Sequence, residues 1–240
     1  MQERYLGDVH DFYKFLFLKY ISKKLKEKIG LNWYLVSPEQ VSFFEEKKKD
    51  GEKRSFLKRK EICDLDLSLS QEFKGFFEKE KRNIVDFTNK THLKKHIKFY
   101  NNEITLLGRK SWFQKSLFFF KDQQTIFLDP DNGLLKKKGQ NSLKHILIEE
   151  IIKYVLEKKI VIFTQFQSYN KNHLIYLKEI KEFLLSNNLD LFIPIVRNRT
   201  SPNTFFITVG NKEVLKKKNF FLIYKMFEKW VNEKVELITV

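Results

Sequence analysis

The chain is poor in the residues that staple or punctuate a small fold. It has one cysteine, Cys63, among 240 residues. That excludes a disulfide framework and a cysteine-rich zinc site. It suits a reducing cytoplasm, with Cys63 as a small structural residue. Glycines number 8 and prolines 4. No Pro/Gly/Ser-rich linker divides the chain, so a single α/β domain over 1–240 is expected, with a charged and helical insertion around 37–100. Long apolar runs are missing too. "NFFLIYKMF" is interrupted by Lys225 and falls short of the ~18 residues of a membrane span. "MQERYLGD" carries acids and no apolar core, which does not read as a signal peptide.

Catalytic signatures are also absent. There is no G-x-x-x-x-G-K-[ST] phosphate loop, no G-x-G-x-x-G after the first strand, no H-E-x-x-H and no G-x-S-x-G. ATPase, ordinary dinucleotide dehydrogenase, zinc protease and α/β-hydrolase readings lose ground accordingly. Acids are scarce relative to bases. Asp+Glu is 30 against Lys+Arg 46, a formal net charge of +16. Such a balance is an electrostatic footprint for a phosphate backbone, so nucleic acid is the expected partner. Lys, Phe, Ile and Asn are abundant, as in proteins encoded by AT-rich genomes, which supplies a bland source for part of the lysine excess.

What the chain does have is apolar periodicity. Hydrophobic residues make up 42%, including 25 Phe, enough for a sizeable core. Three- and four-residue spacings of Val9, Phe12, Tyr13, Leu16, Phe17, Tyr20 and Ile21 predict a helix over 8–28, stopped by Gly30. "LNWYLVS" predicts a short strand, apolar on both faces. "FFEEKKKDGEKRSFLKRKE", centred on Asp50–Gly51, predicts an exposed loop. "SQEFKGFFEKEKR" and "THLKKHIKFY" predict helices with Ser70 and Thr91 as N-caps. "EITLL" predicts a strand and "RKSWFQKSLFFF" a helix. From 124 the alternation is regular: strand "QTIFLD", helix "SLKHILIEEIIKYVLEKK", strand "IVIFTQF", helix "KNHLIYLKEIKEFLLSN". Then follow strands "DLFIPIV" and "TFFITVG", one helix over "KEVLKKKNFFLIYKMFEKWVN" and an edge strand "VELIT". Alternating strands and helices predict a mostly parallel sheet covered on both faces. "RNRTSPN" is too short for a crossover helix, so the strands around it form an antiparallel hairpin. A parallel sheet ending in such a hairpin is the layout of Rossmann-like, methyltransferase-type three-layer domains.

Open α/β sheets bind ligands beyond the carboxyl ends of their strands, which directs attention to "NWYLVSPE", "LDPDNG" and "TQFQS". In the second, Pro130 stops the ladder, and Asp131, Asn132 and Gly133 are turn formers. Asp129 is not needed for a turn, and a carboxylate at the end of an apolar strand must find a partner. "GDVHDFYKF" gathers Asp8, His10, Asp11 and Lys14 within a turn and a half of helix. Asp8 and Asp11 suit a capping pair; His10 and Lys14 are not explained that way. Arg197, Arg199 and Asn203 lie at the hairpin tip with residue types suited to phosphate contacts, though polar hairpin tips are ordinary. The Lys runs at 47–49, 136–138 and 216–218 read as solvated faces.

"YLGDVHDFYKFLFLKYI", "GLNWYLVSPE", "KDGEKRSFL" and "FLDPDNGL" together resemble a family of uncharacterised bacterial proteins with a G-D-x-x-D-F-x-K start and an F-L-D-P-D-N-G core. The motif order is also similar to the adenine-N6 methyltransferases of large-subunit ribosomal RNA, S-adenosylmethionine-dependent enzymes. There "DVHDFYKF" parallels an Asn-His-Ala-Asp-Val-x-Lys-His helix, "NWYLVSPE" the cofactor loop, and "DPDN" the catalytic Asp-Pro-Pro-Tyr. The resemblance implies catalytic roles for Asp129, Asp131 and Asn132, with Asp129 accepting from the target amino group. It puts Asp8, His10, Asp11 and Lys14 over the cofactor or substrate. With the strand-end segments, the expected cofactor contacts are Asp8, His10, Lys14, Asn32 and Tyr34, and the expected substrate contacts are Gln165 and, from their residue types, Arg197, Arg199 and Asn203. The chain departs from the pattern where Asp131 and Asn132 replace the base-gripping Pro-Tyr. It departs again where Ser37, Pro38 and Glu39 stand in place of a glycine-rich turn. Two alternatives are a Mg²⁺-dependent nuclease using Asp129 and Asp131, with Glu149 and Lys14 nearby, and a non-catalytic nucleic-acid-binding module.

Overall fold

The computed structural model describes residues 2–41, 55–77, 82–137 and 142–240. Its centre is a seven-stranded sheet. The strands are β1 (Ile29–Asn32), β2 (Ile97–Tyr100), β3 (Thr125–Leu128), β4 (Ile160–Phe166), β5 (Leu191–Asn198), β6 (Thr204–Val209) and β7 (Val235–Ile238). Their order across the sheet is β2-β1-β3-β4-β6-β5-β7. The first four run parallel. β6 lies antiparallel between β4 and β5, and β7 pairs antiparallel with β5 at the edge. The expected hairpin is therefore present, and so is the expected edge strand.

Among the described residues the helices longer than one turn are α1 (Val9–Leu25), α2 (Leu67–Phe77), α3 (Ile84–Lys90), α4 (Arg109–Phe119), α5 (Ile148–Leu156), α6 (His173–Leu185), α7 (Lys212–Lys217) and α8 (Phe220–Val231). Strand residues alternate between two cores, as the pleat requires. Phe127 joins Phe12, Phe17, Phe73, Phe87 and Phe227 on the side of α1, α2, α3 and α8. Ile126 and Leu128 point the other way, to Trp112, Ile151 and Leu177 on α4, α5 and α6. This is a three-layer α/β arrangement. α1 is buried through Phe12, Phe15, Leu16, Phe17 and Leu18, so it is apolar around nearly its whole circumference and is sandwiched rather than surface-bound.

Tertiary pairing overrides local pattern at several points. α1 ends at Lys26, which takes the left-handed conformation (φ 56°) and donates its N–H to Ser22. Gly30 is not the stop; it lies inside β1, where Phe120 Cδ1 and Ile126 Cδ1 come within 2.6 and 2.8 Å of the place a Cβ would occupy. β1 ends at Asn32, and Trp33–Ser37 leaves the ladder with Tyr34 at φ 50°. "THLKKHIKFY" is not a helix: after a 3₁₀ turn over His92–Lys95, Ile97–Tyr100 pairs with β1. "EITLL" is not a strand, although Ile104 N–H reaches Leu35 O at 2.8 Å. α5 begins only at Ile148, because Ile146 bridges to Leu134 beside the sheet. Asn219, left-handed at φ 56°, splits the last helix into α7 and α8. Ser70 is no N-cap; it lies inside α2, while Asp66 Oδ1 accepts from Leu69 N–H at 3.0 Å. Within 37–100, Phe56, Ile62, Leu69, Ile84 and Phe87 are core residues against α1, so that segment is more than charged loop. The Asp50–Gly51 turn, Lys47–Lys49 and Lys138 lie outside the described residues.

Candidate functional site

The carboxyl ends of β3 and β4 meet the first turn of α1. Asp129 N–H donates to Asn32 O at 2.9 Å, extending the ladder one residue past β3 until Pro130, which has no N–H, ends it. That places the Asp129 carboxylate in the interior, 6% exposed. Its Oδ2 lies 2.5 Å from Lys14 Nζ, and its Oδ1 accepts from Thr164 Oγ1 at 3.0 Å. Lys14 also pairs with Asp11, three residues back on the same helix face. Asp11 Oδ2 accepts from Gly7 N–H at 2.7 Å. Asp8 caps α1, its Oδ1 accepting from Asp11 N–H at 2.9 Å. The Lys14 ammonium sits 4.6 Å from the centre of the Trp33 ring. Buried charges persist when paired and hydrogen-bonded, as Lys14, Asp11 and Asp129 are; Asp8 is held by its hydrogen bond from Asp11 N–H.

One ammonium thus pairs with two buried carboxylates, Asp11 and Asp129, and attracts a third, Asp8. Burial alone would lower the Lys14 pKa, but Asp11 and Asp129 outweigh it and hold the group protonated well above its ordinary range. Burial raises Asp8 to about 6, against the cap hydrogen bond from Asp11 N–H and the attraction of Lys14. Burial likewise raises Asp11, only partly offset by Lys14, because Asp8 and Asp129 repel its charge. The α1 end of the network therefore takes up or releases a proton near pH 6, within the range used for general acid–base work.

These residues line a cleft of about 340 Å³, within the range of small-ligand sites. Phe166 and Phe206 supply an apolar wall. The ionised lining is acidic: Asp8, Asp11, Asp129 and Asp131 against Lys14 and Lys144. In a chain of net charge +16 this is a local inversion of sign.

The structure brings Asp8, His10, Lys14, Asp129, Asp131 and Asn132 together on that cleft. His10 is anchored by Thr200, with Nδ1 and Oγ1 3.1 Å apart, and meets Phe166 edge-on. Gln2 Nε2 donates to Asp131 at 3.2 Å. Asn32 and Tyr34 do not line it. Asn32 Oδ1 accepts from Tyr34 N–H, and Tyr34 OH donates to Glu150 at 2.8 Å. Gln165 is a brace: its side chain accepts from Leu134 N–H and donates to Tyr176 OH. Arg197 is committed to Glu236 at 3.0 Å, and Asn203 to Gln167. Arg199 is exposed on a separate cleft beside Tyr13 and Arg59. Glu149 is exposed and lines none of the cleft.

Two features escaped sequence reasoning. Thr164 is one: Leu128 and Phe163 are in register, so the next residues, Asp129 and Thr164, become neighbours. A lone hydroxyl in the apolar strand "IVIFTQF" is the signal that could have found it. The other is the Arg109–Glu150 pair, whose two N–H···O contacts both measure 2.8 Å. Arg109 also donates to the carbonyls of Ser142 and His145. It thereby holds the segment whose Lys144 carbonyl accepts from Asn132 N–H at 2.9 Å. Comparisons with family models, curated proteins and solved structures return no match.

Proposed function

We propose that this chain is an enzyme of S-adenosylmethionine-dependent methyltransferase-like fold that acts on nucleic acid. The observation that carries the reading is the acidic cleft at the carboxyl ends of the central parallel strands of a basic protein. An acidic, partly apolar cleft favours a cationic ligand with apolar parts, and S-adenosylmethionine has a sulfonium, an ammonium and an adenine ring. The antiparallel β6 between β4 and β5 is further support, since that insertion belongs to methyltransferase-type sheets.

The residues fit the group unevenly. Where the resembled family has a glycine-rich turn, buried Trp33 and Tyr34 fill the space after β1. The holding residues are then Asp8, His10 and Asp11 from α1, with the Asp129–Asn132 loop. The bound cofactor supplies an electrophilic methyl group. Asp129 orients the target: a carboxylate has about four acceptor sites, and Lys14 and Thr164 use two, leaving capacity for an incoming amino group. Lys14 keeps that carboxylate in place, and Asp8 exchanges a proton near pH 6.

Isothermal calorimetry with S-adenosylmethionine and its demethylated product tests the cofactor half. Binding heat, a raised unfolding temperature and at least a ten-fold weakening in Asp11→Asn are expected. No heat and no thermal protection would sink it. The nuclease alternative has less support: among the described residues, no three His, Cys, Asp or Glu side chains cluster closely enough to hold a metal ion.

A further inference from the structure

A second concave surface runs along β2, the edge of the sheet farthest from the hairpin. Three adjoining clefts make it up, the largest of about 630 Å³. They share lining residues. Tyr100, Asn102, Ser111 and Lys115 line the first two, and Lys98 lines the first and third. Its charge is opposite to that of the acidic cleft. Lys28, Lys94, Lys98, Lys115 and Lys121 line it, with Glu103 the single acid among the described lining residues. Lys98 Nζ is fixed on the carbonyl of Phe119 at 2.7 Å, at the negative end of α4. Phe118 presents an almost bare ring, 73% exposed, with Lys121 Nζ 5.2 Å from its centre. Asn102 and Gln114 add amide donors and acceptors at the rim.

We propose that this groove binds a single-stranded nucleic acid, with the lysines meeting successive phosphates and Phe118 stacking on a base. A lone anion would need one pocket; these lysines are distributed along the whole edge. A purely electrostatic surface would have no use for an exposed aromatic ring between them. Lysine tracks with interleaved aromatics are how sequence-tolerant proteins hold single strands. The inference rests on the nucleic-acid half of the proposed function and adds where the strand lies: on the β2 edge, not at the tip of the β5–β6 hairpin.

The test is fluorescence anisotropy with a labelled single-stranded 16-mer on the full chain. Five phosphate contacts would weaken binding roughly a hundred-fold between about 50 and 200 mM salt. Lys115→Glu/Lys121→Glu, both exposed on or beside α4, should weaken binding at least ten-fold and reduce that salt response to roughly twenty-fold. Phe118→Ala should cost roughly ten-fold through lost stacking. If the wild type binds but these variants bind equally, while Arg197→Glu/Arg199→Glu does not, the groove assignment alone is overturned. If the wild type binds no oligonucleotide, the nucleic-acid half of the function falls with it. Binding to phosphatidylserine vesicles in preference to the 16-mer would overturn it as well. Calorimetry with S-adenosylmethionine reads the other cleft separately, so failure there leaves a positive groove result standing.

Discussion

Replacing Lys14 with methionine is the sharpest perturbation of the acidic cleft. Lys14 is the ammonium that Asp11 and Asp129 share, and all three side chains are nearly inaccessible to water. Methionine fills similar space without charge and leaves the carboxylates facing one another across an apolar gap. Removing one partner of a buried pair costs about 3–5 kcal/mol. In urea that corresponds to a midpoint lowered by roughly 1–2 M for a chain of this size. The loss must depend on pH. Without the ammonium, the folded-state carboxylates take protons more readily than the unfolded ones. Stability of the variant is therefore lost as pH rises and recovered as it falls. The variant should show the full deficit at pH 8 and less than half of it at pH 4.5. Urea unfolding followed by tryptophan fluorescence is the assay, and Trp33, beside Lys14, reports the site directly. Lys14→Arg separates charge from shape and should recover part of the deficit. A Lys14→Met deficit below 1 kcal/mol at pH 8, or one unchanged at pH 4.5, would refute the shared-ammonium account.

Asp8→Asn keeps the N-cap, since Asn caps as well as Asp. Asp8 is raised to about 6 in the fold, so it contributes stability present at low pH and lost as pH rises through about 6. The variant should match the wild type near pH 4 and exceed it by up to about 3 kcal/mol at pH 7.5, read from urea midpoints. Gly30→Ala would press a methyl group against Phe120 and Ile126 and should destabilise by about 1–3 kcal/mol by the same assay. Arg109→Met strands the buried Glu150 carboxylate and should cost about 3–5 kcal/mol. It should also speed amide exchange at Asn132, whose N–H bonds to the loop that Arg109 holds. Unchanged exchange there would separate Arg109 from the cleft.

Much of this protein is legible without coordinates. The periodicity of α1 was visible because its apolar residues recur at helical spacing, and Asp8 could be read as its cap from residue type and place alone. Strands β3, β4 and β6 were visible because strands buried nearly throughout are continuous apolar runs. The short connection between β5 and β6, residues 199–203, dictated their antiparallel pairing by length alone. That Asp129 needs a partner also followed from its position after an apolar strand. Which partner it takes did not. Lys14 is 115 positions away in sequence, and only the docking of α1 across the ends of β3 and β4 selects it over the other lysines. The same holds for β2, whose pattern suits a helix until β1 offers it a ladder. It holds too for Arg197, which lies within β5 rather than at the hairpin tip and pairs with Glu236, and for Asn203, which the fold engages with Gln167. Local spacing thus determined α1, its Asp8 cap and most of the strands after residue 124, since those signals span only a few residues. The pairing of buried charges was decided by tertiary structure, because a desolvated carboxylate binds whichever cation the packing brings within reach.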